Sequence, residues 1–256
     1  MLGPSRVLVE YKEGEVYHSF SKEGLKQDQD SSLGVQAMGK ERSSCSTSVS
    51  GERTLFDRDV YSRKERKKAS SCPKKHYYLQ LAKYLKKMHS VKTKGFGILD
   101  SSFTGSSQSW YKYVLGILED LKGCVQEKKL TPGEARKIES EFRIVKSYFK
   151  SYATPRLLHG DIYRDNTMIF KGKLSGIIDA ADAFSGDPMY EFGIIYSEEF
   201  DWNVISWMEQ EYGSLNRHLI WVYAVLGSVW ILKLVDKPVM IRGVQRRIRD
   251  LLQKRF

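Results

Sequence analysis

Residues 157–166 read LLHGDIYRDN, and residues 176–179 read GIID. Asp161, Asn166 and Asp179 fall at the ends or turns of short apolar runs, where a rigid scaffold can aim polar side chains at one point. Phosphoryl transfer needs a carboxylate to orient the acceptor hydroxyl and oxygen ligands to hold magnesium against the nucleotide phosphates. The pattern therefore indicates a metal-and-phosphate site.

The apolar runs around this polar loop predict a short strand followed by a β-hairpin. The predicted elements are a strand at residues 156–158, a second strand at 167–170, a tight turn at 171–173 and a returning strand at 174–178. Folding such a hairpin brings Asp179 back beside the loop that carries Asp161 and Asn166. Residues far apart in sequence thereby become neighbours.

The order His-Gly-Asp, an Asn five positions after that Asp, Ile-Asp at a hairpin end and Gly-Asp-Pro at residues 186–188 resembles the aminoglycoside phosphotransferase family. This family shares its architecture with protein kinases. Upstream, residues 81–90 and the Gly-Phe-Gly of residues 95–97 look like the family's helix and turn. The resemblance spans residues 76–240. It implies an α+β, protein-kinase-like fold with a mainly helical C-terminal lobe and a catalytic β-hairpin.

The resemblance also implies roles for the polar residues of the loop. Asp161 would be the catalytic aspartate that orients the acceptor hydroxyl, and Asn166 and Asp179 would ligate Mg²⁺. The implied cofactors are Mg²⁺ and ATP or GTP. The implied partners are this nucleotide and a small molecule with an acceptor hydroxyl, as in aminoglycoside or choline kinases.

Three further residues are expected to support the loop by the same resemblance. His159 would brace it. Asp187, together with Glu191 where the family usually has aspartate, would tie the following helix to the loop. Ala180 departs from the family, which commonly has an aromatic residue after the metal-binding aspartate. None of these departures removes an essential group.

An acidic cluster follows the site in an otherwise basic chain. Glu198, Glu199 and Asp201 could receive a cationic acceptor, because carboxylates attract positive charge. Alternatively, they lie at the amino-terminal end of the helix that contains Trp202, where negative charge is favoured. The sequence leaves both interpretations open.

The amino-terminal region does not show a complete nucleotide-binding lobe. Residues 6–11 and 15–20 predict two strands, whereas residues 21–71 are rich in Ser, Gly and charge and predict loop or disorder. No glycine-rich turn precedes a strand lysine, so the nucleotide lysine is unknown. We predict a truncated or degenerate small β lobe with a disordered basic segment at residues 1–75 and a phosphotransferase C-terminal lobe at residues 76–256.

Helical periodicity predicts the body of the C-terminal lobe. The run Thr131-Pro132-Gly133-Glu134 predicts a capping box at a helix start, with apolar residues at helical spacing after it. The apolar run at residues 219–232 is shorter than the ~20 residues needed to cross a bilayer. It predicts a buried core helix, and no membrane partner is expected.

Charge and cysteine content bear on partners and location. The chain has 256 residues and a formal net charge of +11, and its basic run at residues 63–68 suggests nucleic acid, but no recognised nucleic-acid module accompanies it. A solvated charged linker is the favoured interpretation. Cys45, Cys72 and Cys124 lack metal-like spacing, and no signal peptide opens the chain, so a reduced cytoplasmic setting is expected.

Three functional hypotheses follow. The first is an ATP- or GTP-dependent phosphotransferase that acts on an acceptor hydroxyl. The second is a catalytically weak or inactive relative, because the amino-terminal lobe looks incomplete. The third, a basic nucleic-acid-binding protein, is not favoured by the loop motif. The sequence does not determine the oligomeric state.

Overall fold

The computed structural model describes residues 7–12, 15–20, 67–68, 72–100 and 102–254. Most of the segment predicted as loop or disorder, Cys45 and most of the basic run therefore lie outside the described residues. In the described part of that segment, Lys67 and Lys68 form a short strand. The prediction of an unstructured stretch up to residue 71 is wrong for these two residues, because they pair with the open edge of the predicted β-hairpin.

Seven α-helices occur in the described part of the chain. They are α1 (Lys74–Met88), α2 (Trp110–Gln126), α3 (Pro132–Ser151), α4 (Met189–Glu199), α5 (Trp202–Tyr212), α6 (Arg217–Leu234) and α7 (Pro238–Gln253). The helix α1 begins just before the predicted boundary at residue 76. The capping box at α3 is confirmed: the Thr131 hydroxyl accepts from the Glu134 N–H, and the Glu134 carboxylate accepts from the Thr131 N–H.

The strands of the described residues form three small antiparallel sheets. They are β1 (Val7–Lys12), β2 (Glu15–Phe20), β3 (Lys67–Lys68), β4 (Phe96–Leu99), β5 (Gly105–Ser107), β6 (Arg156–Leu158), β7 (Thr167–Phe170), β8 (Lys173–Ile177) and β9 (Phe184–Gly186). The sheet orders are β1-β2, β3-β7-β8 and β5-β4-β9-β6. The predicted hairpin is present as β7–β8, with β8 starting one residue earlier than expected. The two predicted amino-terminal strands also pair with each other.

The helix α6 forms the centre of the core. Its residues are apolar on nearly every side, and a helix with that pattern is stable only when neighbours surround it. Trp221 and Tyr223 of α6 and Trp110 of α2 are almost fully buried. By length and composition α6 could cross a membrane, but 67% of its apolar window is buried inside the protein. The predicted core helix is confirmed.

The helices α4 and α6 pack with their backbones close together at Gly193. A Cβ atom at this position would lie 2.6 Å from the Tyr223 Cβ and 2.9 Å from the backbone nitrogen of Ala224. Backbone atoms cannot move aside as a flexible side chain can. Glycine at residue 193 therefore sets the spacing of the two helices.

We predict that Gly193→Ala destabilises the protein by about 1–3 kcal/mol, because overpacking forces the two helices apart. Alanine is the better helix former by up to ~1 kcal/mol, so propensity alone predicts the opposite sign. Urea denaturation measures the free energy of unfolding. The matched control is Gly116→Ala in α2, where nothing lies within 4 Å of the added Cβ and stability should stay equal or rise. Equal effects of the two substitutions would contradict the packing argument.

Candidate active site

The hairpin returns Asp179 to the polar loop through the peptide groups of Ile178. The Ile178 N–H donates to the Asn166 backbone oxygen over 2.8 Å, and the His159 Nε2 lies 3.1 Å from the Ile178 oxygen. Asp179 follows directly with a left-handed backbone, at φ 64°. The predicted proximity of Asp161, Asn166 and Asp179 is therefore present in the structure.

Asp161 and Asn166 contact each other directly. The Asn166 Nδ2 donates to the Asp161 carboxylate over 2.7 Å and to the Asp161 backbone oxygen over 2.9 Å. Burial raises the pKa of the Asp161 carboxyl above its usual value, while the Asn166 hydrogen bond opposes this shift. The Asn166 side chain thus uses its amide nitrogen to hold Asp161. The Oδ1 atom of Asn166 makes no hydrogen bond in the described residues.

The His159 ring connects the two ends of the site. Its Nδ1 accepts from the Asp161 N–H at 3.3 Å, so the hydrogen of the neutral ring is on Nε2, which donates to Ile178. His159 is 1% exposed, so it does not reach the open side of the site. Its contacts agree with the predicted bracing role.

Glu191 holds the polar loop through two of its backbone N–H groups. Its Oε1 accepts from the backbone N–H of His159 at 2.6 Å and of Gly160 at 2.9 Å, and its Oε2 lies 2.6 Å from His89 Nε2. The other ring nitrogen of His89 lies 2.8 Å from the Tyr212 hydroxyl. Glu191 is fully buried, so these contacts take the place of water for its charge.

Asp187 supports the site at a second buried point. Its carboxylate accepts from the hydroxyls of Tyr148 at 2.8 Å and Tyr223 at 2.7 Å, and from the Met189 N–H at 3.0 Å. Burial raises the pKa of this carboxyl, and the three hydrogen bonds act in the opposite direction. Asp187 thereby joins the start of α4 to α3 and α6.

The loop itself requires glycine at residue 160. Its φ is +85°, and an added Cβ would lie 2.2 Å from the Asp182 backbone oxygen. A side chain there would be strained and would collide with the segment that follows Asp179. Gly160 thus lets the two site segments approach each other.

The oxygen donors present fit a magnesium ion bound together with phosphates. In the described residues no hydrogen-bond donor contacts the carboxylate of the exposed Asp179 or the Oδ1 of Asn166, so these oxygens remain available to a metal ion. Among these residues, no three His, Cys, Asp or Glu side chains group as a complete metal cage. Mg²⁺ commonly uses one or two protein oxygens with waters and substrate phosphates, which matches this sparse set.

The acidic cluster is divided between two helices and is already paired. Glu198 and Glu199 belong to the end of α4, so the interpretation that all three residues start the next helix is wrong; Asp201 alone caps α5. Glu198 pairs with Arg247, while Glu199 and Asp201 pair with Lys74. The division arises because the chain turns at Phe200 in a left-handed conformation. Glu198 and Glu199 line a cavity of about 350 Å³. Asp161 is not one of the residues that line this cavity.

A smaller cavity, of about 100 Å³, opens directly on Asp161. It lies between α4 and α6. The residues on its walls include Tyr190, Ile194, Tyr223, Gly227 and Trp230. Sequence reasoning missed this cavity, because these residues belong to two helices and their apolar spacing indicated only core packing.

Comparisons with known proteins agree on one family and one fold. The sequence model of the phosphotransferase enzyme family (APH) matches residues 52–225. No curated protein sequence matches the chain significantly. Among solved structures, aminoglycoside phosphotransferase APH(4)-Ia aligns with a TM-score of 0.59 at 16% identity, over 73% of this chain and 68% of that one. A thermostable mutant of that protein in a ternary complex with ADP and hygromycin B gives 0.60 at the same identity and coverage.

A third similar structure is the GDP complex of wild-type aminoglycoside 2'-phosphotransferase-IIIa. It aligns with a TM-score of 0.52 at 16% identity, over 72% of this chain and 65% of that one. At such identities the likeness concerns the fold alone. It confirms the predicted kinase-like α+β architecture.

We predict that Glu191→Ala destabilises the protein by about 3–5 kcal/mol, because two backbone N–H groups and the buried His89 lose their partner. Thermal and urea unfolding measure the effect. The exposed Glu119 of α2 supplies the matched control, since Glu119→Ala should leave stability unchanged. A mild effect at residue 191, equal to that of the control, would show that the loop does not depend on this carboxylate.

Proposed function

Because this chain belongs to the phosphotransferase enzyme family, we propose that it transfers the γ-phosphate of ATP or GTP to the hydroxyl group of a small molecule. The observation that carries the proposal is the contact of Asp161 with Asn166, beside the returning Asp179. One carboxylate is held next to a cavity, and the oxygens of Asn166 and Asp179 remain available for a metal ion. Phosphoryl transfer needs both a carboxylate beside the acceptor hydroxyl and oxygen ligands for the metal ion at the phosphates.

The transfer step assigns one task to each group. Asp161 orients the acceptor hydroxyl and accepts its proton as the oxygen attacks the γ-phosphorus. A new bond forms between the acceptor oxygen and phosphorus, and the bond from phosphorus to the bridging oxygen breaks. The nucleoside diphosphate leaves with that electron pair. Asn166 keeps Asp161 in position throughout the step by its two hydrogen bonds.

Asn166 Oδ1 and Asp179 would hold the magnesium ion that neutralises charge on the phosphates. Structures of similar fold are named as complexes with ADP and with GDP, which supports a purine nucleotide as the donor. Separate titrations with ATP and GTP distinguish the two.

A catalytically weak or inactive relative is the second candidate. It is favoured by the lack of a glycine-rich turn and a following strand lysine in the amino-terminal sequence, since these parts normally grip the phosphates. Nucleotide that binds with magnesium but is never consumed would support this second candidate. Turnover with any small alcohol would support the first.

We expect Asp161→Asn to lower the rate of phosphoryl transfer by about 10²–10⁴-fold, because the side chain no longer accepts the proton. The loop should keep its structure, since Asn can still contact Asn166. Phosphorus NMR measures product formation, and circular dichroism checks the fold. Asp236→Asn, at an exposed position between α6 and α7, is the control and should retain the wild-type rate. Retained activity in the Asp161 variant would refute its assigned role.

We expect Asp179→Asn to weaken magnesium-dependent nucleotide binding by about ten-fold or more, because a hard anionic ligand is lost. Nucleotide titrations with and without magnesium, followed by calorimetry, measure this difference. Binding in the absence of metal should change little. If the magnesium dependence survives the substitution, Asp179 is not a metal ligand.

A further inference from the structure

The cavity between α4 and α6 is small and opens on the carboxylate of Asp161. Its volume of about 100 Å³ is well below the ~300 Å³ at the lower end of pockets for drug-sized ligands. A large branched molecule cannot enter it without moving the helices. The close approach of the two helices at Gly193 opposes such movement.

The hydroxyl group of Tyr190 is an unexplained polar group on this cavity. Tyr190 is 7% exposed, and within the described residues its hydroxyl makes no hydrogen bond. The neighbouring Tyr223 hydroxyl, by contrast, donates to Asp187 and accepts from Trp110. The hydroxyl is not sealed in the core but opens on the cavity, where water or a ligand hydroxyl can reach it.

The other walls of the cavity are mainly aliphatic and aromatic. Ile194, Ala224 and Ile231 supply aliphatic surface, and Trp230 stands at the rim with 40% of its surface exposed. No lysine, arginine or histidine lines the cavity, all of whose walls lie within residues 160–231. Asp161 and Asp182 at the mouth repel an anionic ligand, and the apolar interior disfavours a buried charge.

We propose that this cavity is the acceptor pocket and that the acceptor is a compact, uncharged diol on an apolar frame. One hydroxyl lies at Asp161 for transfer, and the second hydrogen-bonds to the Tyr190 hydroxyl. The inference rests on the proposed phosphotransferase function and names the substrate class. It assigns Tyr190 as a specificity residue, and it assigns no acceptor contact to Glu198, Glu199 and Asp201, which are already paired with cations.

Gly227 provides an independent way to alter the pocket. It lies on α6 among the residues that line the cavity, and the nearest atom to an added Cβ is the Tyr190 hydroxyl at 3.9 Å. A larger side chain would therefore grow into open space beside Tyr190. Glycine is a poor helix former, so its replacement does not by itself weaken α6.

The first experiment compares alkane-α,ω-diols of three to six carbons with the mono-alcohols of equal length. Saturation-transfer NMR measures binding to the full chain, and phosphorus NMR with ATP, GTP and magnesium measures transfer. Diols should bind more tightly than their partners at one or two chain lengths. Tyr190→Phe should remove this advantage, about three- to ten-fold, and leave mono-alcohol binding unchanged. Tyr111→Phe, in a ring stacked on Phe142, is the matched control.

The second experiment blocks the pocket. Gly227→Leu should weaken diol binding about ten-fold or more while magnesium-nucleotide affinity stays at the wild-type value. Gly243→Leu in α7, with open space around its Cβ, is the control and should leave both affinities unchanged. Hygromycin B tests the size limit and should be neither bound nor phosphorylated.

Two sets of results separate the pocket from the proposed function. If Tyr190→Phe and Gly227→Leu both weaken diol binding as expected but no phosphate is transferred, the pocket is upheld and the phosphotransferase assignment is contradicted. Transfer to any acceptor that survives Gly227→Leu, or equal affinity for diols and mono-alcohols at every length, overturns the pocket and leaves the phosphotransferase assignment intact.

Discussion

Two backbone N–H groups of the catalytic loop, those of His159 and Gly160, point into the protein and end on one oxygen of Glu191. The second oxygen of this carboxylate is held by His89 at the end of α1. A buried charge is tolerated only when several donors replace water, and here the donors belong to separate parts of the chain. The position of Asp161 therefore depends on the contact between His89, at the end of α1, and Glu191 of α4.

The helices α4 and α6 serve the site in two ways. Asp187, just before α4, receives hydrogen bonds from Tyr148 and Tyr223, which join the start of α4 to α3 and α6. The same two helices approach closely at Gly193, and beside Gly227 a small cavity lies between them. The close contact at Gly193 thus limits the size of the molecule that reaches Asp161.

Much of the site follows from short-range sequence patterns. The hairpin, its turn and the return of Asp179 toward Asn166 could be predicted, because alternating apolar residues and a tight turn determine the pairing locally. The capping box at Thr131 is equally local, since its hydrogen bonds span only three residues. The family motif supplied the expected roles. Its spacing places Asp161 and Asn166 within one loop, and the hairpin then returns Asp179 to that loop.

The sequence by itself determined the helices, the hairpin and the polar residues of the loop. Only the tertiary structure decided which partners those residues have: Lys74 and Arg247 neutralise the acidic cluster, and Tyr190 faces a cavity rather than the packed core. Periodicity shows that a helix face is apolar, but it does not show what lies opposite that face. The partner depends on how helices distant in the chain pack, and that depends on the shape of every side chain between them.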